Sequence, residues 1–203
     1  SDAEGSMFLQ LDDKTTLLPT NVKKSPFGDK EVRALVNYDE VDESSGDYNK
    51  AVHINWIDSI LTKPIAPDLG EENDEVYGTD PVEIINDWVT LAEDGYLTLR
   101  FRTVWGGQKK HFVNLLLSQG SENPYEVEFR HNAYGDVYGT TDDGLVAFKL
   151  DGLPDTEGKT VKLKLKWKSF SGEKSAEFDY CTRKSVTPSN PEAAAVRSNL
   201  KLE

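Results

Sequence analysis

The segment from His131 to Gly144, HNAYGDVYGTTDDG, holds the residues whose types are best suited to binding chemistry in this chain. Tyr134 and Tyr138 bracket a Gly-Asp pair, and tyrosines on a flexible polar loop supply flat contact area at low entropic cost. Four side chains are therefore candidate contacts to a sugar or a protein partner: His131, Tyr134, Asp136 and Tyr138. The alternative is that the loop only packs on its own sheet.

Metal and nucleophile chemistry have little support in the sequence. His53, His111 and His131 lack the short spacings by which paired ligands converge on a metal. There is no Gly-x-Ser-x-Gly elbow, and the single cysteine, Cys181, is predicted to be a packed thiol in a strand beside Tyr180. We therefore predict no catalytic residue, no metal and no cofactor.

The carboxylates leave one enzymatic alternative open. Glu71–Glu75 and Asp142-Asp143-Gly144 lack the Asp-x-Asp-x-Asp-Gly order of a calcium loop, and we interpret them as a solvated linker and a turn. A glycoside hydrolase, however, needs only two carboxylates across a cleft. A hydrolase of envelope or dietary glycan therefore stays a hypothesis.

A lysine ladder is the most conspicuous charge feature. Apolar residues alternate with lysines over Thr160–Ser169, a period of two that predicts a half-buried strand. We interpret the lysines as a solvent-facing row that protects a sheet edge, and the alternative is a strip that binds phosphate or acidic polysaccharide. The lysines are Lys162, Lys164, Lys166 and Lys168.

The charge balance argues against nucleic-acid binding. The chain has 203 residues and a net charge of -13, and Asp and Glu exceed Lys and Arg by 10 within residues 1–78 alone. Such a surface repels phosphate backbones. We therefore predict no nucleic-acid partner, although an OB-type nucleic-acid binder is kept as a further alternative.

The stretch from Trp88 to Leu117 is predicted to be a three-stranded meander. Its apolar and polar residues alternate, and Asp94-Gly95 and Gly106-Gly107 are dipeptides typical of two-residue hairpin turns. The second turn sets a register that can be tested. Its cross-strand pairs are Phe101 with Phe112, and Arg102 with His111.

Short strand patterns on both sides of a Pro-containing acidic segment predict an all-β protein of two domains. The single cysteine excludes an intramolecular disulfide, and the chain begins without an initiator Met, which indicates a trimmed or mature form. The predicted organisation is a disordered terminus over 1–6, a small barrel or curled sheet over 7–62, a linker over 63–79, a β-sandwich over 80–184, and a linker with an Ala-rich tail over 185–203.

Several runs resemble one known family. DPVEIINDWVTLAEDGYLTLRFRTVWGGQKKHFVNLLL, FRHNAYGD and GLVAFKLDGLPDTEGKTVKLKLKWKS are similar to the NigD-like family of Gram-negative gut and oral bacteria, as are LVNYDEV and WIDSILTKPI before them. The resemblance implies an N-terminal OB-like barrel and a C-terminal immunoglobulin-like antiparallel sandwich. It also implies export as an outer-membrane lipoprotein, anchored through an N-terminal cysteine that this chain does not contain, and a suggested role in bacteriocin immunity.

The first hypothesis for function is therefore a non-catalytic binding or immunity-type module of the cell envelope. Its partner would be an unidentified protein or glycan, with membrane contact only through the lipid anchor. The glycan hydrolase and the OB-type nucleic-acid binder are the alternatives. A pair of carboxyl groups with a raised pKa would favour the hydrolase, and a positive groove lined by aromatic residues would favour the nucleic-acid binder.

Overall fold

The computed structural model describes residues 5–12 and 14–184. The chain divides into two compact units. The first runs to Ser59 and takes in the chain again from Arg183, and the second is Ile60–Thr182. The linker and Ala-rich tail predicted for residues 185–203 lie outside the described residues, as do residues 1–4 of the predicted disordered terminus.

Strands dominate both units, as the alternating patterns predict. The first unit contains β1 (Leu9–Gln10), β2 (Thr16–Pro19), β3 (Ala34–Glu40) and β4 (Lys50–Ser59). The second contains β5 (Leu61–Pro64), a 3-10 turn (Gly70–Glu72), α1 (Asn73–Tyr77), β6 (Glu83–Ile84), β7 (Leu91–Glu93), β8 (Tyr96–Trp105), β9 (Phe112–Leu117), β10 (Glu126–Asn132), β11 (Thr140–Lys149), β12 (Val161–Ser169) and β13 (Gly172–Tyr180).

The first unit is a four-stranded sheet in the order β1-β2-β4-β3. The antiparallel pairing of β3 with β4 shifts register between Asn37 and Tyr38, and a bulge of this kind bends a strand and increases its twist. Leu17, Val52 and Ile54 are buried on the inner face. The curled sheet fits the small barrel or curled sheet that the strand spacing predicts, and the OB-like barrel that the family resemblance implies.

The second unit consists of two sheets that enclose one core. One sheet has the order β13-β12-β10-β9, and the other has the order β5-β11-β8-β6 with β7 also on β8. Their inner faces bury Leu97, Leu99, Leu115, Phe148 and Leu163, among others. The predicted sandwich is therefore confirmed. Its pairings are mostly antiparallel, although β10 and β12 run parallel, as do β5 and β11.

The lysine strand alternates as predicted, but its place in the sheet differs from the prediction. Leu163 and Leu165 are fully buried, while the lysines point outward. Because β12 lies between β10 and β13, it is not an edge strand, and the edge-protection interpretation is wrong. Carboxylates on neighbouring strands instead neutralise three of the lysines. These ion pairs are Lys162 with Asp179, Lys164 and Lys166 with Glu126, and Lys166 with Glu173.

The predicted meander is half correct. Asp94 and Gly95 both have positive φ and join β7 to β8 in a tight hairpin, with Glu93 opposite Tyr96. The second hairpin is wrong, because β8 and β9 belong to different sheets. Phe112 pairs with Asn132 on β10 rather than with Phe101.

The reason for the error is that both edges of β8 are already occupied. β11 pairs along one edge over its whole length, and β6 and β7 pair along the other. The chain must therefore leave this sheet after Trp105, and residues 106–111 carry it across to the opposite sheet. The alternation of side chains is the same in both arrangements, so the register argument alone could not exclude the hairpin.

The predicted linker over 63–79 lies inside the second unit. Leu61–Pro64 forms β5 beside β11, and Asn73–Tyr77 forms a short helix whose end is hydrogen-bonded to the sandwich through Asn132. The boundary between the units thus falls at Ser59 and Ile60. Among the described residues, no helix is long and apolar enough to cross a membrane.

Two neighbouring substitutions on β12 test its alternation. Replacing the fully buried Leu163 with Ala should lower the free energy of unfolding by about 2–5 kcal/mol, because it leaves a cavity between the sheets. Lys162 makes an exposed ion pair with Asp179, so replacing it with Ala should lower the free energy of unfolding by at most about 1 kcal/mol. Urea unfolding followed by tryptophan fluorescence measures both, and equal losses would contradict the assigned faces.

Candidate recognition site

The segment singled out by its tyrosines divides into strand and loop. His131 lies near the end of β10, residues 133–139 form a loop, and β11 begins at Thr140. We call residues 133–139 the recognition loop. It lies beside residues 106–111, which cross between the sheets and which we call the crossing loop.

Hydrogen bonds hold the two loops together. The Gln108 N–H donates to the Asp136 carboxylate at 3.2 Å, and the Gly106 N–H donates to the Asp136 carbonyl oxygen at 3.3 Å. From the same crossing loop, the Lys109 ammonium donates to the Tyr134 carbonyl oxygen at 2.7 Å. The approach is so close that a Cβ on Gly106 would overlap Asp136 Oδ1, so only glycine fits there.

Beneath these loops, Asp136, His111 and His131 form a buried histidine chain. His111 Nε2 lies 3.4 Å from Asp136 Oδ2, and His111 Nδ1 lies 2.9 Å from His131 Nε2. The His111 side chain is only 1% exposed. Trp105 stacks on the His111 ring at 4.2 Å between centroids, and Phe101 lies against His131. The chain thus links a loop carboxylate to the aromatic core of the sandwich.

Its hydrogen bonds assign the tautomers. When both rings are neutral, His111 Nε2–H donates to an ionised Asp136, and His111 Nδ1 accepts from His131 Nε2–H. His131 Nδ1 is then the unprotonated nitrogen. It is buried and has no hydrogen-bond partner among the residues that the structure describes.

The same environment sets the charges. Burial, reinforced by the nearby His111, lowers the pKa of His131 from 6.5 to about 4, because the charged form of the ring loses its hydration there. Burial alone would raise the pKa of Asp136, but the backbone N–H groups of Gln108 and Lys109 and the contact with His111 lower it overall. Near neutral pH the cluster therefore contains an anionic Asp136 and a neutral His131.

The loop residues above this cluster face solvent. Tyr138 is 89% exposed and Tyr134 is 47% exposed, with the exposed Val137 between them. Tyr134 has a φ of 52°, in the left-handed region, and Asn132 Oδ1 accepts its N–H at 2.9 Å. The four predicted contact residues therefore divide into two roles. Tyr134 and Tyr138 are presented outward, whereas His131 and Asp136 support the loop from within.

Sequence reasoning missed His111 and Trp105 in this site. The predicted hairpin sets His111 opposite Arg102, but that hairpin does not exist, and His111 is separated from His131 by 20 positions. The two histidines meet because β9 and β10 pair antiparallel, with His131 opposite Val113. Recognition of a β9–β10 pair in the sequence would have brought them together.

The remaining acidic and thiol groups that the sequence singled out are held by hydrogen bonds within the sandwich. Asp142-Asp143-Gly144, predicted as a turn, lies within β11, where Asp143 binds Arg102 and Arg100. The hydrogen bond from Arg102 is the main cause that lowers the pKa of Asp143 to about 2. Cys181 is partly buried just after β13 and accepts a hydrogen bond from Thr156 Oγ1. Over residues 5–12 and 14–184, no three His, Cys, Asp or Glu side chains converge as a metal site.

Comparison with known families agrees with this architecture. The sequence model of the NigD-like N-terminal OB domain matches residues 1–60, and that of the NigD-like C-terminal β-sandwich domain matches residues 64–180. The chain belongs to the NigD-like family. The resemblance seen in the sequence is thereby confirmed.

Three solved structures match over 89–99% of this chain. A putative toxin-related protein from Parabacteroides distasonis is 35% identical, with 99% of this chain and 95% of that chain covered and a TM-score of 0.77. A protein of unknown function from Bacteroides vulgatus is 24% identical, with coverage of 96% and 94% and a TM-score of 0.71. A NigD-like immunity protein from Bacteroides caccae is 21% identical, with coverage of 89% and 93% and a TM-score of 0.62. The last two show the fold alone. No curated protein matches.

The buried histidine chain predicts a specific dependence of stability on pH. The unfolded chain binds a proton on His131 below about pH 6.5, whereas the folded chain resists it until about pH 4. The stability that the folded chain gains by keeping His131 neutral is therefore fully present above about pH 6.5, and it is lost as the pH falls toward 4. From pH 7 to pH 4.5 it should remove about 2–3 kcal/mol from the free energy of unfolding.

Replacing His131 with Gln keeps a donor toward His111 but removes the titration. Between pH 7 and pH 4.5, the variant should lose about 2–3 kcal/mol less stability than the wild type in urea unfolding. His53→Gln, at an exposed histidine of the first unit, serves as the control and should follow the wild type. Parallel pH profiles for wild type and His131→Gln would show that folding does not lower the pKa of His131.

Proposed function

We propose that this protein is a non-catalytic, immunity-type binding module of the cell envelope that contacts a protein partner through the recognition loop. The observation that carries the proposal is the buried histidine chain, which fixes the loop from beneath while Tyr134, Val137 and Tyr138 stay exposed. Rigid tyrosines of this kind give contact area without a large loss of side-chain entropy on binding.

Backbone strain at Tyr134 supports the same role. A non-glycine residue in a sparsely populated backbone region costs about 1–3 kcal/mol and persists only where its surroundings impose it. Here the Asn132 side chain and the Lys109 ammonium hold the backbone of Tyr134 on both sides. The strained backbone therefore holds Tyr134, which is not a core residue, in a single outward orientation.

The charges near the loop favour an acidic protein surface as partner. Lys109 and Lys110 are exposed on the crossing loop, and Lys109 is bonded to the backbone of Tyr134. They form a small basic rim on a chain with a net charge of -13. Complementary charge of this kind raises association rates and excludes wrong partners.

A glycan hydrolase is less well supported than a binding module. Such an enzyme needs a carboxylic acid whose pKa is raised enough to donate a proton. Asp12, Asp68, Asp87, Glu126, Asp136 and Asp143 all have a pKa below the usual range of a carboxyl group, which is the opposite of what a proton donor needs. The two with the closest basic partners, Asp143 and Asp87, bind arginine side chains and so lack a free proton to donate.

The nucleic-acid alternative also has little support. In the first unit, the outer face of β3 and β4 presents Asn37, Asp39, His53 and Asn55, which is a polar surface without a basic row. Residues 1–78 also carry most of the acidic excess. The counterion release that drives nucleic-acid binding requires Lys and Arg at the contact surface.

Family context supports an immunity role, and with it we propose an envelope location. The chain belongs to the NigD-like family, one similar structure is a NigD-like immunity protein, and another is a putative toxin-related protein. A lipid anchor at the N-terminus of the full-length gene product would hold the recognition loop where an incoming toxin is met. The proposed location is therefore the envelope, with the protein an outer-membrane lipoprotein.

A toxin challenge tests the proposal. A sensitive Bacteroides host that produces the full-length gene product should survive bacteriocin-containing supernatants from related strains at least tenfold better than the empty host. The double substitution Tyr134→Ser and Tyr138→Ser should remove the protection, because it deletes the exposed contact area without touching the core. Cell fractionation of the same strains should recover the protein with the envelope.

Phe170→Ser is the matched control, because Phe170 is also an exposed aromatic residue of the sandwich but lies at the turn between β12 and β13. This variant should protect as well as the wild type. The proposal is wrong if no supernatant is countered, or if the double tyrosine variant protects fully.

A further inference from the structure

A second exposed aromatic residue, Trp88, lies far along the chain from the recognition loop. It is 77% exposed, which is the largest exposure of any tryptophan in the described residues. It is carried by residues 85–90, between β6 and β7, which both pair with the same edge of β8. The edge pairing is interrupted there, and the chain bulges away from the sheet with Trp88 in the bulge.

The bulge is anchored at both ends. Asp87 accepts the N–H groups of Val89 and Thr90 at 3.0 and 3.3 Å and binds the Arg100 guanidinium at 2.7 Å. Thr90 Oγ1 donates to the Ile85 carbonyl oxygen at 2.6 Å and accepts the Arg100 N–H at 3.1 Å. The backbone on either side of Trp88 is therefore fixed, although no core contact requires its indole.

The ionic groups beside the bulge cancel one another. Asp143 accepts from Arg100 at 2.7 Å and from Arg102 at 2.6 and 3.0 Å, and Asp87 binds Arg100 from the other side. Two carboxylates thus face two guanidinium groups. The result is a set of fixed hydrogen-bonding groups with no net charge, and Arg102 is about half exposed.

We propose that Trp88 and the neighbouring Arg100–Arg102–Asp143 network form a binding site for a neutral oligosaccharide. One face of a pyranose ring is lined by C–H groups and stacks on a flat indole, while its hydroxyl groups accept from and donate to fixed polar side chains. A charge-balanced rim suits uncharged hydroxyl groups and gives phosphate or uronate no net attraction.

A protein contact and the protection of a sheet edge both account for Trp88 less well. In a complex, a protein hot spot is ringed by apolar contacts that exclude water. Val137 offers such a contact beside the exposed Tyr138, whereas Trp88 follows the polar Asn86 and Asp87 and precedes Val89, which is buried. Protection of the sheet edge needs only the bulge of the backbone, which any side chain would allow. Neither role requires an anchored and exposed indole.

Affinity electrophoresis in native gels tests the site with the full chain, whose net charge of -13 ensures migration toward the anode. The gels contain β-glucan, glucomannan, galactomannan or dextran as neutral probes, and polygalacturonate as an acidic probe. At least one neutral polysaccharide should retard the protein. Trp88→Ala should weaken the retardation at least tenfold, and Trp88→Tyr, which keeps a flat ring, should restore part of it.

Trp56→Ala is the matched control, because Trp56 is the next most exposed tryptophan and lies in the first unit. It should leave the retardation unchanged, as should the Tyr134→Ser and Tyr138→Ser double substitution, which separates this site from the proposed recognition loop. Unshifted melting temperatures of the variants establish that they fold. The proposal is overturned if no neutral polysaccharide retards the protein, if only polygalacturonate does, or if Trp88→Ala binds as the wild type does.

Discussion

The organisation of the sandwich depends on the full occupation of both edges of β8. This strand pairs with β11 on one side and with β6 and β7 on the other, and its inward residues form much of the core. No further strand can join it, so the chain has to cross to the second sheet. The crossing loop makes this connection, and it places His111 in contact with His131.

The crossing brings backbone N–H groups close together, and the buried histidine chain supplies their acceptor. Two loops that meet at the end of a sandwich bring backbone N–H groups together, and these need acceptors when water is excluded. The Asp136 carboxylate accepts from Gln108 and contacts His111, whose other nitrogen bonds His131. Only His131 Nδ1 is left over, and as an unprotonated nitrogen it costs less than a buried N–H or a buried charge.

The sequence predicted what depends on local pattern. The alternation over β12, the β7–β8 turn at Asp94-Gly95 and the presence of two β units follow from periodicity and turn chemistry, and all three are in the structure. What failed depends on the choice of partner strand. The same Gly106-Gly107 pair that is typical of a hairpin here serves a close approach to Asp136, and nothing local distinguishes the two uses. His111 was missed for the same reason, since its neighbours come from β10.

Many charges of the sandwich are paired locally, although the chain as a whole is acidic. Three lysines of β12 are matched by carboxylates on β10 and β13, and the arginines of β8 are matched by Asp87 and Asp143. Such pairs contribute little long-range attraction, which is screened within about 8–10 Å at physiological salt. Beyond the exposed lysines of the crossing loop, recognition by the sandwich therefore depends on short-range contact area held in place by the fold. Tyr134 and Trp88 are exposed aromatic residues of this kind, because Asn132 accepts the N–H of Tyr134 and Asp87 accepts the N–H of Val89, which follows Trp88. In both cases a buried or paired carboxylate, Asp136 or Asp87, fixes the segment that presents the ring.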